Sequence, residues 1–245
     1  MIVDAQQGET IYDPACGSGS FLLGAYSYLL QWHKDYYTQD GKASKSKTTN
    51  PLTPDGNLTT AEKKRILLNN IYGVDIDVNA VEVTKLSLLL KCMEGETSAS
   101  IANQMSMFNE RVLPTLDSNI KSGNSLIDLD YYDTQLDFGD EKKIKPFSWQ
   151  KGFLEVFKRG GFDVVIGNPP YGATLTKEVD NYLRCEYKVA NYQLDTYVIF
   201  IERGKQLLRH NGCLGFIVPS AWVASTYDNK LRKYLKEEIR IENIV

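Results

Sequence analysis

Asn168-Pro169-Pro170-Tyr171 sets a side-chain carbonyl, a backbone carbonyl and an aromatic face with a phenol tip into consecutive residues. The two prolines fix φ and donate no backbone N–H, and the residue ahead of the first is pushed to extended geometry. The acceptors of this corner are therefore held in set directions. The corner thus presents fixed hydrogen-bond acceptors beside an aromatic face. A second stretch, Asp13-Pro14-Ala15-Cys16-Gly17-Ser18-Gly19-Ser20, joins a carboxylate to two glycines ahead of an apolar, helix-forming run. Gly17 and Gly19 remove side chains where a ligand would touch backbone, and amides at the helix start favour a negative group such as a carboxylate. The residue three after Gly19 is Leu22 rather than glycine, so the dinucleotide fingerprint fails and a nicotinamide cofactor is disfavoured. Taken singly, each stretch is also compatible with a structural turn.

Both stretches need rigid supports. Residues 162–166, ahead of the corner, are mostly β-branched or aromatic and read as a strand covered on both faces of a parallel sheet. Residues 10–12 read as a strand, 13–20 as a loop and 21–32 as a helix, with Phe21, Leu22, Ala25, Tyr28 and Leu29 on one face. A helix over 61–69, opened by a Thr59/Glu62 capping box, leads to a strand at 70–74 that ends in Asp75-Ile76-Asp77. Asp75 at the end of this second strand is placed to hold ribose hydroxyls. Asp77 reads as the cap of a helix over 78–93 whose core face is Val81, Leu86, Leu89 and Leu90. Residues 120–126 give a third strand and turn, with Asn124 placed to read a base edge or simply to make the turn. A short helix over 153–158 precedes the corner strand. Beyond the corner, Asp195 caps a helix over 196–209 that stops at Asn211-Gly212, followed by a strand at 213–218, a helix at 227–237 and a last strand at 240–245. This alternation predicts an α/β fold with a doubly wound, mostly parallel sheet that binds ligands beyond the carboxyl ends of its strands. Residues 33–58, with Lys42, Lys45 and Lys47, read as an exposed insertion, and residues 130–150 as a second surface excursion.

Composition narrows the class. A chain of 245 residues with 42% hydrophobic and 24% charged residues suits one soluble globular domain. A net charge of −3 and a pI near 5.5 give no global attraction for nucleic acid, so any such binding must come from local patches or a separate module. Cys16, Cys92, Cys185 and Cys213 lie far apart with no C-x-x-C pair, which disfavours a zinc site or a disulfide framework and fits reduced thiols in a cytoplasm.

The loop Asp13-Pro14-Ala15-Cys16-Gly17-Ser18-Gly19-Ser20-Phe21 together with Asn168-Pro169-Pro170-Tyr171 resembles the paired signature of the S-adenosylmethionine-dependent N6-adenine DNA methyltransferases. Gly73-Val74-Asp75-Ile76-Asp77, the helix around Phe200 and Gly215-Phe216-Ile217-Val218-Pro219-Ser220-Ala221-Trp222 are similar to that family's further motifs, most of all to the methylase portion of type IIG restriction-modification enzymes and related phage-defence methylases. The resemblance implies a Rossmann-like class I methyltransferase fold over residues 1–245, S-adenosyl-L-methionine as cofactor, and methylation of a flipped-out adenine in duplex DNA. It also implies a target-recognition domain or subunit outside this chain. Asp13, Pro14, Ala15, Cys16, Gly17, Gly19 and Phe21 would then surround the methionine moiety, Asp75 hold the ribose, Ile76 and Phe200 cover the adenine faces, and Asn124 with Ser125 meet the adenine edge. Asn168, Pro169, Pro170 and Tyr171 would be catalytic. At position 124 the family more often carries Asp.

Methyl transfer from a sulfonium is a one-step displacement that requires alignment and charge placement rather than a nucleophilic side chain. Other classes remain open. Methyltransferases of a release-factor glutamine amide or a ribosomal RNA guanine share the corner but usually carry an acidic residue followed by Leu-Gly in the cofactor loop. N4-cytosine enzymes usually carry Ser in place of Asn168. A cofactor-binding fragment without turnover is the non-enzyme reading. The resemblance further implies a chain truncated at both ends, with the fifth strand either left as an open apolar edge or paired with the terminal strand as a substitute, and a molecule that would self-associate through that edge or the missing lid surface.

Overall fold

In the computed structural model, which describes residues 9–39, 50–96, 113–132, 144–225 and 228–244, five strands form the frame. They are β1 (Ile11–Asp13), β2 (Ile71–Asp75), β3 (Ile120–Ser122), β4 (Phe162–Gly167) and β5 (Leu208–Phe216). Their order is β3-β2-β1-β4-β5 and every pairing is parallel. The chain steps outward from β1 through β2 to β3, then returns to the other side of β1 for β4 and β5. The switch point thus falls between β1 and β4, where the loops after two neighbouring strands diverge and leave room for a ligand. Register places Ile11 against Val164 and Tyr12 against Val165, so the glycine loop and the Asn-Pro-Pro-Tyr corner leave the same edge of the sheet side by side.

Alternation along the strands builds the two faces. On one face Ile11, Ile71, Ile120 and Val164 pack with α1 (Ser20–Thr38), α2 (Thr60–Asn70) and α3 (Val78–Met93). On the other, Tyr12, Val74, Phe162 and Val165 meet Phe147, Trp149, Phe153 and Val156, the last three from α4 (Trp149–Gly152), the residue after it and α5 (Leu154–Phe157). Tyr12 stacks on Phe162 at 4.5 Å and meets the Trp149 ring edge-on at 5.1 Å. The second face continues over α6 (Lys177–Glu186), α7 (Thr196–Leu207) and α8 (Asn229–Glu238), joined through Leu183, Ile199 and Leu231. Among the described residues no helix is long and apolar enough to cross a membrane.

Several expectations are corrected. α3 turns Val81, Thr84, Leu88 and Cys92 inward, while Leu86 and Leu90 are 58% and 64% exposed. This helix is apolar on more than one side, so hydrophobicity alone does not reveal which stripe meets the sheet. α1 buries Leu22, Tyr26, Leu29 and His33 and continues to Thr38, into the stretch read as an insertion; Leu58 at its far end is buried as well, while residues 40–49 lie outside the described residues. The excursion at 130–150 contains core: Asn124 bridges in parallel to Pro146, and Phe147 and Trp149 are buried. Asn211-Gly212 does not stop a helix but forms an irregularity inside β5, where Asn211 takes φ 64° and the register shifts between Phe162 and Val164. Residues 239–244 form no strand, which leaves β5 at the edge of the sheet; Val245 lies outside the described residues. The capping box forms by half. Thr59 accepts from the Glu62 N–H, but the Glu62 carboxylate pairs with Arg65 and Tyr37.

Candidate active site

The glycine loop after β1 is held from three directions. Gly17 N–H donates to Asp75 Oδ2 at 2.8 Å, the Cys16 N–H to the Val74 carbonyl at 3.1 Å, and Thr84 Oγ1 of α3 to the Gly17 carbonyl at 2.7 Å. Ser125 Oγ donates to the Pro14 carbonyl. Gly17 and Gly19 both adopt positive φ, at 52° and 84°. A Cβ on Gly19 would lie 2.8 Å from Thr84 Cγ2, whereas one on Gly17 would point into open space. Gly19 is thus required for close packing, and Gly17 leaves its side of the loop free for a ligand.

Asp13 closes the end of β1 beneath the loop. Its carboxylate is 1% exposed, accepts from the Ala15 N–H at 3.0 Å, and would lie 2.7 Å from a Cβ on Gly167. Gly167 therefore lets β4 approach the end of β1 and the glycine loop. Burial, with a smaller push from the Asp75 charge, raises the Asp13 carboxyl from its ordinary 3.8 to about 7. With the folded value raised, the group's stabilising contribution is complete below pH ~4 and is lost as the pH rises towards ~7. The cofactor-free wild type should therefore lose stability across that window relative to Asp13→Asn, as read by thermal unfolding at stepped pH. A parallel pH dependence in the two proteins would contradict the placement of Asp13. The Cys16 thiol is also pushed well up by burial and stays protonated, a packing group against Gly73.

Asp75 spends Oδ1 on the Asp77 N–H at 2.9 Å and Oδ2 on Gly17, and each oxygen keeps a lone pair for a further donor. Asp77 caps α3 through the Asn79 N–H at 2.8 Å, as expected. Ile76 is exposed beside them. Asn124 turns its Oδ1 inward to the Leu126 N–H at 3.1 Å, and Ser125 is buried and occupied with Pro14, so its hydroxyl braces the loop instead of facing a ligand. Phe21 lines an open apolar groove of about 750 Å³ with Ala25, Tyr28, Val164 and Ile166, on the α1 side of the sheet. Phe200 is buried, 6% exposed, in the core between α6, α7 and α8.

At the corner, Asn168 and Pro170 are exposed, Pro169 is buried and Tyr171 is 61% exposed. Two residues at the start of α7 grip it. Thr196 Oγ1 donates to the Pro170 carbonyl at 2.6 Å, and Asp195 Oδ1 accepts the Gly172 N–H at 3.0 Å. Asp195 is the N-cap residue of α7, but its carboxylate serves the corner and not the helix. Just past β5, the Ile217 N–H reaches the Gly167 carbonyl at 3.0 Å. Sequence reasoning missed Thr84, Thr196 and the second use of Asp195, because each acts on backbone atoms distant in the chain.

A parallel sheet of order 3-2-1-4-5 with a glycine loop at its switch point is the Rossmann-like fold of class I methyltransferases. Solved structures share it over 96% of this chain: the Type ISP restriction-modification enzyme LlaGI in complex with a DNA substrate mimic (TM-score 0.56, 18% identity, 17% of that chain) and the DrdV-DNA complex (TM-score 0.53, 18% identity, 19% of that chain). The chain belongs to the Eco57I restriction-modification methylase family, whose model matches residues 69–245; the model of the RMKL-like methyltransferase domain matches residues 1–113. It is 39% identical over 240 residues to the type II restriction enzyme and methyltransferase RM.Eco57I of Escherichia coli, covering 95% of this chain and 22% of that one. It is 26% identical over 231 residues to the adenine-specific methyltransferase PglX of Streptomyces coelicolor, covering 89% of this chain and 17% of that one. The chain thus spans about a fifth of the length of these two relatives.

Proposed function

We propose that this chain is the catalytic part of a restriction-modification DNA methyltransferase that moves a methyl group from S-adenosylmethionine to N6 of an adenine turned out of the duplex. The observation that carries the reading is the side-by-side placement of the glycine loop and the Asn168 corner at the β1/β4 switch point. Family membership and the adenine-specific relative PglX support the substrate class.

The residues fit the cofactor. Asp13 offers a desolvated carboxylate to a cation, the Gly17 side of the loop is open, and Asp75 keeps lone pairs for ribose hydroxyls. Pro14, Ala15, Cys16 and Gly19 shape the methionine end and exposed Ile76 one face of the adenine ring, while Phe200, buried in the helical core, and Ser125, committed to the Pro14 carbonyl, act behind the site rather than on the ligand. Bound S-adenosylmethionine supplies an electrophilic methyl group on sulfur. The exocyclic nitrogen of the target adenine is a weak nucleophile because its lone pair is delocalised into the ring. Asn168 Oδ1 and the Pro169 carbonyl accept its two hydrogens and favour a pyramidal nitrogen whose lone pair faces the glycine loop. Pro170, tied by Thr196, holds those acceptors still, and Tyr171 stacks on the extruded base to offset a few kcal/mol of unstacking. Asn168 is exposed, so the surplus proton leaves N6 for solvent.

The direct test uses the full-length polypeptide with methyl-labelled cofactor. Label should enter duplex DNA; label confined to RNA or protein would refute the reading. The cofactor half has its own check. Asp75→Ala should weaken S-adenosylmethionine binding to this chain by about 10- to 100-fold in calorimetry, the cost of hydrogen bonds to a charged group. Equal affinity would remove Asp75 from the site.

A further inference from the structure

Between α6 and α7 the chain makes a loop, Ala190-Asn191-Tyr192-Gln193-Leu194, anchored in the core at Ala190 and exposed at its tip, where Tyr192 is 86% exposed. Three consecutive carbonyls of this loop are each taken by a cationic side chain. Lys230 Nζ of α8 donates to the Ala190 carbonyl at 2.7 Å, and Arg184 of α6 donates through Nη1 to Asn191 and through Nη2 to Tyr192, the latter at 3.1 Å. Asp180 holds Arg184 in turn, accepting from Nε at 2.7 Å and from Nη2 at 3.0 Å. At its far end the loop runs straight into Asp195 and Thr196, the residues that grip the Asn-Pro-Pro-Tyr corner. Ordering two long cationic side chains costs conformational entropy, and here it is spent on fixing a loop whose tyrosine fills no core.

We propose that Tyr192 is a DNA-contacting residue whose ring stacks on a nucleobase beside the adenine presented to Asn168. This rests on the reading of DNA adenine as the substrate. Extruding a base leaves its neighbour with an unstacked face, and a rigid tyrosine on a loop tied to the catalytic corner can cover such a face at little entropic cost. Stacking tolerates any base, which suits a catalytic part whose sequence reading lies in another module. Arg184 is balanced by Asp180, but the exposed Lys230 under the loop adds positive charge for a phosphate, in a chain of net charge −3 that lacks global attraction for DNA. The exposed Gln193 beside the ring offers a donor and an acceptor to a base edge.

The test compares wild type, Tyr192→Ala and Tyr192→Phe in the full-length polypeptide, by steady-state methyl transfer to DNA and by photo-cross-linking to duplexes substituted with 5-iododeoxyuridine. Tyr192→Ala should lower kcat/KM for DNA by about 10- to 100-fold, chiefly through KM, while Tyr192→Phe stays within about threefold of wild type. Cofactor affinity and thermal midpoint should not move, because the ring is solvent-exposed, and the peptide carrying Tyr192 should be recovered bound to DNA. Unchanged kcat/KM in Tyr192→Ala with no cross-link at Tyr192 overturns the inference and leaves adenine methylation standing. A wild type that methylates no DNA overturns both.

Discussion

Asn168→Ala in the full-length polypeptide is expected to lower methyl transfer to DNA by about two to four orders of magnitude, the scale of losing an oriented polar contact made to the reacting group, while S-adenosylmethionine affinity changes little. The separation follows from the geometry. Asn168 lies exposed beyond β4, and the corner's backbone is held by Thr196 and Asp195 without help from the Asn168 side chain. Removing the side chain takes away one acceptor and leaves the loop in place. Single-turnover methylation beside calorimetry reads the two quantities apart. Loss of cofactor binding together with activity would mean that Asn168 supports the fold and not the chemistry.

Gly19→Ala should disable the cofactor loop. The residue sits at φ 84°, where a side chain costs roughly 1–2 kcal/mol, and the added Cβ would lie 2.8 Å from Thr84 Cγ2 and 2.9 Å from its Oγ1. Thr84 is fully buried and its hydroxyl is committed to the Gly17 carbonyl, so it has little freedom to rotate away. Overpacking adds roughly 1–3 kcal/mol, and the combined strain predicts a thermal midpoint lower by about 5–15 °C. Cofactor affinity should drop by at least about tenfold, because the loop must shift to relieve the clash. Adding Thr84→Ala to Gly19→Ala removes the two nearest atoms and should recover part of both losses. A Gly19→Ala protein with unchanged melting and binding would contradict the loop's dependence on Thr84.

The two candidate stretches were legible because their backbone behaviour is written in residue type. Prolines and glycines fix or free the backbone whatever surrounds them, and Asp13, Asp75 and Asn168 stand at strand ends that the hydrophobic pattern marks. Helix caps at Thr59 and Asp77 were equally local, and both formed. What escaped was long-range. Thr84 lies 67 residues from its partner Gly17, and Thr196 lies 26 from Pro170; nothing in their own neighbourhoods distinguishes them from helix residues. Leu86 and Leu90 misled because α3 is apolar on its outer face as well as its inner one, and the sheet chose the stripe containing the small, buried Thr84 that admits the glycine loop. Phe147 and Trp149 were hidden because they reach the core from an irregular segment without period.

The claim at the centre is that the acceptor held by Asn168 and Pro169 is the amine of adenine. DNA from cells expressing the full-length polypeptide, digested to nucleosides and analysed by mass spectrometry, tests it most directly. N6-methyladenine should appear with the wild type and vanish with Asn168→Ala. N4-methylcytosine in its place, or N6-methyladenine persisting at full level without Asn168, would contradict the account.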